Sequence, residues 1–390
     1  MGAIRGSIVL PDGILQDGTV EWEGNRFTRV ARSSGPGERL EGYILPGLVD
    51  IHCHGGGGVS FPDATREDEV RTAVMEHRRA GTTGLGAASS TMDLERMEFV
   101  LELLSLACDD DLVEAIEIEG PFLSRERCGS QNPLYLLAPD VEVADRLIEA
   151  AGGHAWGMTI APELEGAEEL VRHLAARGVV PTWGHTNSDD ETARRLNEVA
   201  VEALRASGAS PTSYRPVANH LFNAMRELAH RAPGPAAEYL AAAHRGDAIV
   251  ELIGDGIHVA INLVRTTAEL IGPDAMVLVT DSMAAAGMPD GTYELSGLLV
   301  HVTNGVARLR GGNLAGGTSH LIDVVRTTVR AGVPLHEAVR MASMTPANVI
   351  GRTDLGRIEV GCRADLVWVD EDLNVREVIR AGEPVQLTTD

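Results

Sequence analysis

Eight short apolar runs, separated by segments of helical periodicity, constrain the fold of this chain more than any other sequence feature. Each run has three to five residues, mostly apolar or small, as is typical of parallel strands buried on both faces. The intervening segments are amphipathic, as in residues 67–79 and 165–177. The eight runs are residues 48–51, 83–87, 115–118, 158–161, 179–182, 217–219, 249–252 and 276–279.

Eight β–α units predict an α/β fold with a closed (β/α)8 barrel of the TIM type, although an open doubly wound sheet would alternate in the same way. We expect the barrel over residues 48–354. Short alternating strands and turns precede and follow it, in residues 1–47 and 355–390. The two termini are therefore expected to join in one small β domain with a sandwich architecture.

Charge and residue usage exclude several functions. Arg and Lys total 33 and Asp and Glu total 57, so the net charge of 33 − 57 = −24 repels nucleic acid and anionic lipid. No stretch approaches the roughly 20 apolar residues of a membrane helix. We therefore expect neither nucleic acid nor a membrane as a partner.

The chain has no lysine, which excludes Schiff-base, P-loop and carboxylated-lysine chemistry.

The four cysteines, Cys53, Cys108, Cys128 and Cys362, are scattered along the chain without a C-x-x-C pair. This spacing gives no zinc ribbon and suits a reducing compartment. A cytoplasmic protein is therefore expected. Cys128 lies in a polar loop and is either a buried small hydrophobe or an accessible thiol.

Residues able to bind a metal follow five of the eight predicted strands. Catalytic groups of such barrels lie at the carboxyl ends of the strands, because the loops there converge on one mouth. His52 and His54 are two positions apart, so both rings lie on one face of their strand. Taken together, the set indicates one or two divalent ions. Its members are His52, His54, Glu119, His185, His220 and Asp281.

Further polar residues near the predicted mouth suit an anionic ligand. Arg231 comes after the sixth strand and His258 after the seventh. An arginine and a histidine near the mouth of an acidic protein suggest a phosphate or carboxylate pocket, although a surface ion pair is an alternative for Arg231. Residues 313–319 precede an apolar helix, and their backbone amides suit either a ligand or the cap of that helix.

Several motifs occur in the same order in a known family. In these motifs the chain resembles the amidohydrolase superfamily, and within it the N-acetylglucosamine-6-phosphate deacetylases. The resemblance covers nearly the whole chain. The motifs are Leu45-Pro46-Gly47-Leu48-Val49-Asp50-Ile51-His52-Cys53-His54-Gly55, Glu119-Gly120-Pro121-Phe122, Gly184-His185-Thr186, His220-Leu221-Phe222-Asn223-Ala224-Met225, Asp255-Gly256-Ile257-His258, Thr280-Asp281, Leu314-Ala315-Gly316 and Thr345-Pro346-Ala347-Asn348.

The resemblance implies hydrolysis of the acetamide of N-acetylglucosamine-6-phosphate to glucosamine-6-phosphate and acetate. Glu119, His185 and His220 would bind a divalent ion, and His52 and His54 a second one. One or two ions per subunit are expected, and the ligand types suit Zn, Fe, Mn or Co. Glu119 would replace the carboxylated lysine that bridges the metals in many members of the superfamily. Asp281 would be the catalytic general base and acid.

The resemblance also implies which residues contact the substrate. One of them, Gln131, stands where many relatives have histidine, although its amide still donates and accepts hydrogen bonds. In relatives the phosphate-binding arginine reaches across a dimer interface, so a homodimer is expected. The implied contact residues are Gln131, Asn223, Ala224, Arg231, Asp255, Gly256, Ile257, His258, Leu314, Ala315 and Gly316.

Two other functions fit the same residues. One is a different amidohydrolase that acts on a cyclic amide or an N-acyl amino acid, with the same metals and another pocket. The other is a non-catalytic protein that binds a sugar phosphate and has kept the barrel. Fold alone does not decide among them.

Overall fold

The computed structural model describes residues 1–32, 39–209 and 212–387. The chain begins with four strands, of which the first pairs antiparallel with the second and parallel with the fourth. Residues 33–38 and 388–390 of the predicted small domain lie outside the described residues. The four strands are β1 (Gly2–Leu10), β2 (Gly13–Glu23), β3 (Arg26–Arg32) and β4 (Arg39–Pro46).

Eight parallel strands follow, neighbouring one another in chain order, which confirms the predicted α/β barrel. Backbone hydrogen bonds from Asp281 N to His52 O (2.9 Å) and from His54 N to Ser282 O (2.8 Å) join the last strand to the first. The barrel strands are β5 (Leu48–Cys53), β8 (Thr82–Ala88), β9 (Ala115–Ile118), β10 (Ala155–Ile160), β11 (Val180–Trp183), β12 (Val217–Ala218), β13 (Ile249–Ile253) and β14 (Met276–Val279), with a hairpin of β6 (Gly55–Gly56) and β7 (Val59–Ser60) after the first.

The helices between the strands are amphipathic, as predicted. In the first helix the buried residues Val70, Ala73, Val74 and His77 recur three or four positions apart, so one face packs on the barrel. The α-helices of the described residues are α1 (Glu67–Arg79), α2 (Leu94–Asp109), α3 (Val141–Ala150), α4 (Ala167–Ala176), α5 (Asp190–Ala206), α6 (Gly234–Arg245), α7 (Ile261–Ile271), α8 (Leu321–Arg330), α9 (Leu335–Met341) and α10 (Met344–Val349), and two short 3₁₀ helices are Phe61–Asp63 and Arg125–Arg127.

A small antiparallel sheet that was not predicted follows the eighth barrel strand. Its strands are β15 (Gly291–Leu295), β16 (Leu298–Thr303) and β17 (Val306–Leu309). It has its own apolar core, formed by Leu295, Val300, Val302 and Ala307 against residues 283–285. This sheet stands beside the mouth of the barrel.

The two termini join in one seven-stranded sheet, in which three C-terminal strands are followed in order by β4, β1, β2 and β3. Its C-terminal strands are β18 (Leu366–Val369), β19 (Val375–Arg380) and β20 (Glu383–Pro384). The unpredicted strand β4 is central, because it pairs with β1 on one side and with β18 on the other. The division at residues 47 and 355 stays a prediction. No helix among the described residues is long and apolar enough to cross a membrane.

A buried ionic network ties the C-terminal strands to the amino-terminal end of the barrel. Glu114 directly precedes β9, and its side chain is 2% exposed. Its Oε1 lies 2.8 Å from Arg363 and 3.3 Å from Arg380, and its Oε2 contacts Arg352. Since unpairing a buried charge is costly, this network stabilises the contact between the two parts of the chain.

Candidate metal centre and active site

The metal-competent side chains predicted at the strand ends lie together at the carboxyl end of the barrel. The ends of β5, β9, β11, β12 and β14 meet there, so residues distant in the chain become neighbours. The carboxylate of Asp281 is 15% exposed, whereas the five other residues are at most 4% exposed. Those five are His52, His54, Glu119, His185 and His220.

One group of ligand atoms is built around a single oxygen of Glu119. Its Oε1 lies 3.0 Å from His185 Nε2 and 3.2 Å from His220 Nε2. The Nδ1 atom of His185 lies 3.1 Å from the carbonyl oxygen of Arg127, which orients the ring so that Nε2 faces the group. Burial alone would raise the pKa of Glu119, but His185, His220 and His54 lower it well below its usual range.

A second group shares Glu119 with the first. Its Oε2 lies 3.4 Å from His54 Nε2, and its Oε1 lies 3.7 Å from His52 Nε2. His52 Nε2 is buried and has no hydrogen-bond partner among the described residues. In each group the ligand atoms lie within 4.8 Å of one another. Imidazole nitrogens and a carboxylate are the donor set of divalent transition metals, so these residues fit one or two ions.

Asp281 follows β14 and faces the second group. Its Oδ1 lies 3.2 Å from His54 Nε2 and 3.8 Å from His52 Nε2. Burial alone would raise its pKa, but the hydrogen bond from His54 and the nearby charges of His52 and His220 lower the pKa to about 2. Asp281 is therefore a carboxylate at neutral pH and is able to accept a proton.

Three of the site residues have left-handed backbone conformations. The φ angles are 48° at His185, 29° at His220 and 47° at Asp281, and two neighbours, Phe222 and Ala224, have φ of 77° and 49°. Side chains with a Cβ seldom adopt these angles, which cluster at functional sites. At each of the three site residues the chain leaves a barrel strand and turns across the mouth.

A cavity of about 400 Å³ opens next to the two ligand groups. This volume suits a ligand the size of a sugar phosphate. Leu295, from the unpredicted small sheet, forms part of its wall, as does Arg127. Six of the predicted substrate contacts also line it: Gln131, Asn223, Ala224, His258, Leu314 and Gly316.

Gln131 has a second contact that the sequence did not indicate. Its Oε1 accepts hydrogen bonds from Ser90 Oγ (2.9 Å) and from Thr91 N (2.7 Å). These two bonds leave the amide group free to donate to Glu119 Oε2, at 2.5 Å. Gln131 therefore holds the carboxylate that both ligand groups share, in addition to lining the cavity.

The remaining predicted substrate contacts lie behind the cavity wall or away from it. Asp255 Oδ2 accepts the Nδ1 proton of His258 at 2.7 Å and so orients that ring. Gly256 and Ile257 are exposed at the surface, and Ala315 is buried. Arg231 is also exposed. The roles of these residues stay predictions.

Two carboxylates that sequence reasoning missed lie below the metal-competent residues. Glu117 on β9 and Glu251 on β13 are 0% exposed, and together with His52 they form a third group of possible ligand atoms. A sequence signal existed, because each acid interrupts an otherwise apolar buried strand. Charged residues are rarely buried in this way without a partner.

A closed barrel with His and carboxylate groups at its mouth is the architecture of metal-dependent barrel hydrolases. A model of the amidohydrolase family matches residues 43–385 of this chain. The chain belongs to the amidohydrolase family.

Individual proteins similar to this chain give more specific information than the family does. The chain is 34% identical to N-acetylglucosamine-6-phosphate deacetylase of Lysinibacillus sphaericus, over 88% of this chain and 87% of that protein. It is 31% identical to N-acetylgalactosamine-6-phosphate deacetylase of Escherichia coli O157:H7, over 89% and 88% of the two chains. The crystal structure of N-acetyl-D-glucosamine-6-phosphate deacetylase from Mycobacterium smegmatis is similar, with a TM-score of 0.90 and 35% sequence identity. The match covers 99% of this chain and 100% of that chain.

Proposed function

We propose that this protein hydrolyses the acetamide of N-acetylglucosamine-6-phosphate to glucosamine-6-phosphate and acetate, a step of amino-sugar catabolism. The observation that carries the proposal is the position of Asp281, an ionised carboxylate on the wall of the cavity and 3.2 Å from His54. The similarity to deacetylases of amino-sugar phosphates over most of their length supports this substrate class.

A divalent ion, Zn, Fe, Mn or Co, bound by Glu119, His185 and His220, with or without a second ion at His52 and His54, would lower the pKa of a water molecule and polarise the acetamide carbonyl. Asp281 accepts the proton of the attacking water. It then donates this proton to the amide nitrogen, because an amine leaves only after protonation. Gln131 keeps Glu119 in place through its 2.5 Å hydrogen bond.

His258 is the wall residue best suited to a phosphate. Burial alone would lower its pKa, but the hydrogen bond to Asp255 raises the pKa above its usual value. Its Nε2 is buried without a partner among the described residues, while the ring lines the cavity. A cationic imidazole there would donate to a phosphate oxygen, and Arg127 adds a second positive charge to the wall.

The proposal is tested by measuring the acetate that the purified protein, with its metal content determined, releases from each sugar. We expect rapid release from N-acetylglucosamine-6-phosphate and a kcat/KM at least about 10-fold lower for unphosphorylated N-acetylglucosamine, since charge-assisted hydrogen bonds to phosphate would be lost. N-acetylgalactosamine-6-phosphate is the third compound to be assayed, because deacetylases of both sugar phosphates are similar to the chain.

Other results would contradict the proposal. Equal rates for the phosphorylated and unphosphorylated sugars would remove the phosphate pocket. Release from a cyclic amide or an N-acyl amino acid alone would identify a different amidohydrolase. Tight binding of the sugar phosphate by metal-loaded protein without turnover would identify a non-catalytic binding protein.

We also propose a homodimer in which Arg231 completes the phosphate site of the partner subunit. Arg231 is exposed, does not line the cavity of its own chain and has no ion pair among the described residues. We expect Arg231→Ala to raise KM for the phosphorylated sugar about 10- to 100-fold, as for loss of one charge-assisted hydrogen bond, with little change in kcat. Steady-state kinetics measure KM, and sedimentation measures whether the protein is a dimer.

Arg71→Ala is the matched control for Arg231→Ala, because Arg71 is exposed on α1. A monomer in solution, or an unchanged KM in Arg231→Ala, would refute the shared site.

We place the protein in the cytoplasm, which the four free thiols of Cys53, Cys108, Cys128 and Cys362 support.

A further inference from the structure

A layer of buried carboxylates lies inside the barrel, below the candidate metal centre. Glu117 on β9 and Glu251 on β13 both approach the ring of His52. His52 Nδ1 lies 2.8 Å from Glu251 Oε2 and 3.3 Å from Glu117 Oε2. All three residues are 0% exposed. Neither glutamate lines the cavity, so neither is placed to contact substrate.

Glu117 is held rigidly from the other side. Its Oε1 accepts hydrogen bonds from the hydroxyls of Thr159 and Thr182, each at 3.2 Å, and from the amide of Asn219 at 2.5 Å. Its Oε2 has no hydrogen-bond partner among the described residues and points toward His52. Three donors on one oxygen hold the carboxyl group of Glu117 in place beside Glu251.

Glu251 connects to both histidine pairs of the metal centre. Besides His52 Nδ1, its Oε2 accepts a long hydrogen bond from the backbone N–H of His220, at 3.4 Å. The backbone oxygen of Glu251 accepts from Leu221 N at 2.8 Å. The carboxylate is therefore fixed between the end of β12 and the ring of His52.

The contact with Glu251 determines which nitrogen of His52 is available to a metal. A neutral imidazole carries one N–H, and the carboxylate oxygens retain that proton on Nδ1. The lone pair of Nε2 then faces Glu119 Oε1 at 3.7 Å and Asp281 Oδ1 at 3.8 Å. If Nδ1 had no acceptor, the proton would be free to occupy Nε2 and block it as a ligand.

We propose that Glu251, backed by Glu117, is a positioning residue that sets the affinity of the second metal site, formed by His52 and His54. It orients His52 with Nε2 free, and an acceptor oxygen 2.8 Å from Nδ1 makes Nε2 a stronger ligand. The inference rests on the proposed function in one respect: the second ion is taken to be part of the proposed hydrolytic centre.

The test is metal binding by the full-length, metal-depleted protein without any sugar. Co²⁺ titrations followed by calorimetry, with metal analysis after desalting, are compared for wild type, Glu251→Gln and Glu251→Leu. His52→Asn serves as the reference that lacks the second site. We expect both Glu251 variants to bind the second ion about 10- to 100-fold more weakly. The first ion should be affected much less, because Glu251 reaches that site only through the long 3.4 Å contact with His220 N.

Glu114→Gln is the matched control, because Glu114 is a buried glutamate next to the other end of β9. It should lower Tm and leave both Co²⁺ affinities unchanged. Wild-type affinity for the second ion in both Glu251 variants, or equal losses at both sites, would overturn the proposal. A third ion that is lost in Glu251→Gln would also overturn it, since Glu117, Glu251 and His52 would then bind an ion directly. Because no sugar is used, these outcomes do not depend on the deacetylase proposal.

Discussion

Asp281→Asn is expected to lower kcat for acetate release by about 10²- to 10⁴-fold, the usual effect of losing a general acid and base. Asparagine has nearly the same size, so we expect it to leave the surroundings of His54 Nε2, 3.2 Å from Asp281 Oδ1, little changed. It has no basic oxygen to take a proton from water. We therefore expect metal content and KM to change much less than kcat.

The measurement is steady-state kinetics with N-acetylglucosamine-6-phosphate, together with metal analysis of the same samples. Asp110→Asn is the control, because Asp110 is exposed at the C-terminal end of α2. A kcat within threefold of wild type in Asp281→Asn would exclude Asp281 as the proton acceptor. A parallel loss of metal would instead assign it a role as a ligand.

Glu119→Gln is expected to abolish metal binding at both sites and to lower kcat/KM by more than about 10³-fold, since the attacking water loses its activation. Glu119 is the one carboxylate common to the two ligand groups, with Oε1 facing His185 and His220 and Oε2 facing His54. Glutamine retains the shape but is neutral, so it removes the anionic ligand that the two groups share.

Metal content after dialysis against a defined free concentration measures this effect, and Tm shows whether the variant is folded. Glu114→Gln again serves as the buried control, because its carboxylate binds arginines rather than histidines. If Glu119→Gln retained two ions per chain and wild-type turnover, neither ligand group would depend on Glu119.

The barrel was predictable because its strands are buried on both faces and therefore read as apolar runs. The predicted runs 115–118 and 276–279 coincide with β9 and β14. Strand β4 was missed because its first residues are polar or half-exposed, and only its partners β1 and β18 make it central. The sheet of β15 to β17 was missed because its strands are short and largely exposed.

The candidate metal ligands were predictable because each follows a strand end, and parallel strands bring such ends together. The second contact of Gln131 depends on the fold of a loop, which places Ser90 and Thr91 against its amide oxygen. Local sequence does not specify that packing. Glu251 was missed for a different reason, because a single acid in a buried strand shows no partner until the barrel closes around His52.

The positive φ angles at His185, His220 and Asp281 have a consequence for the evolution of this chain. Each such non-glycine residue costs folding free energy, on the order of 1–3 kcal/mol. Glycine at these positions would relieve the strain and remove the functional side chain at the same time. Selection for thermostability alone would therefore tend to erase the site, and thermostable variants evolved in the laboratory need a parallel selection for turnover.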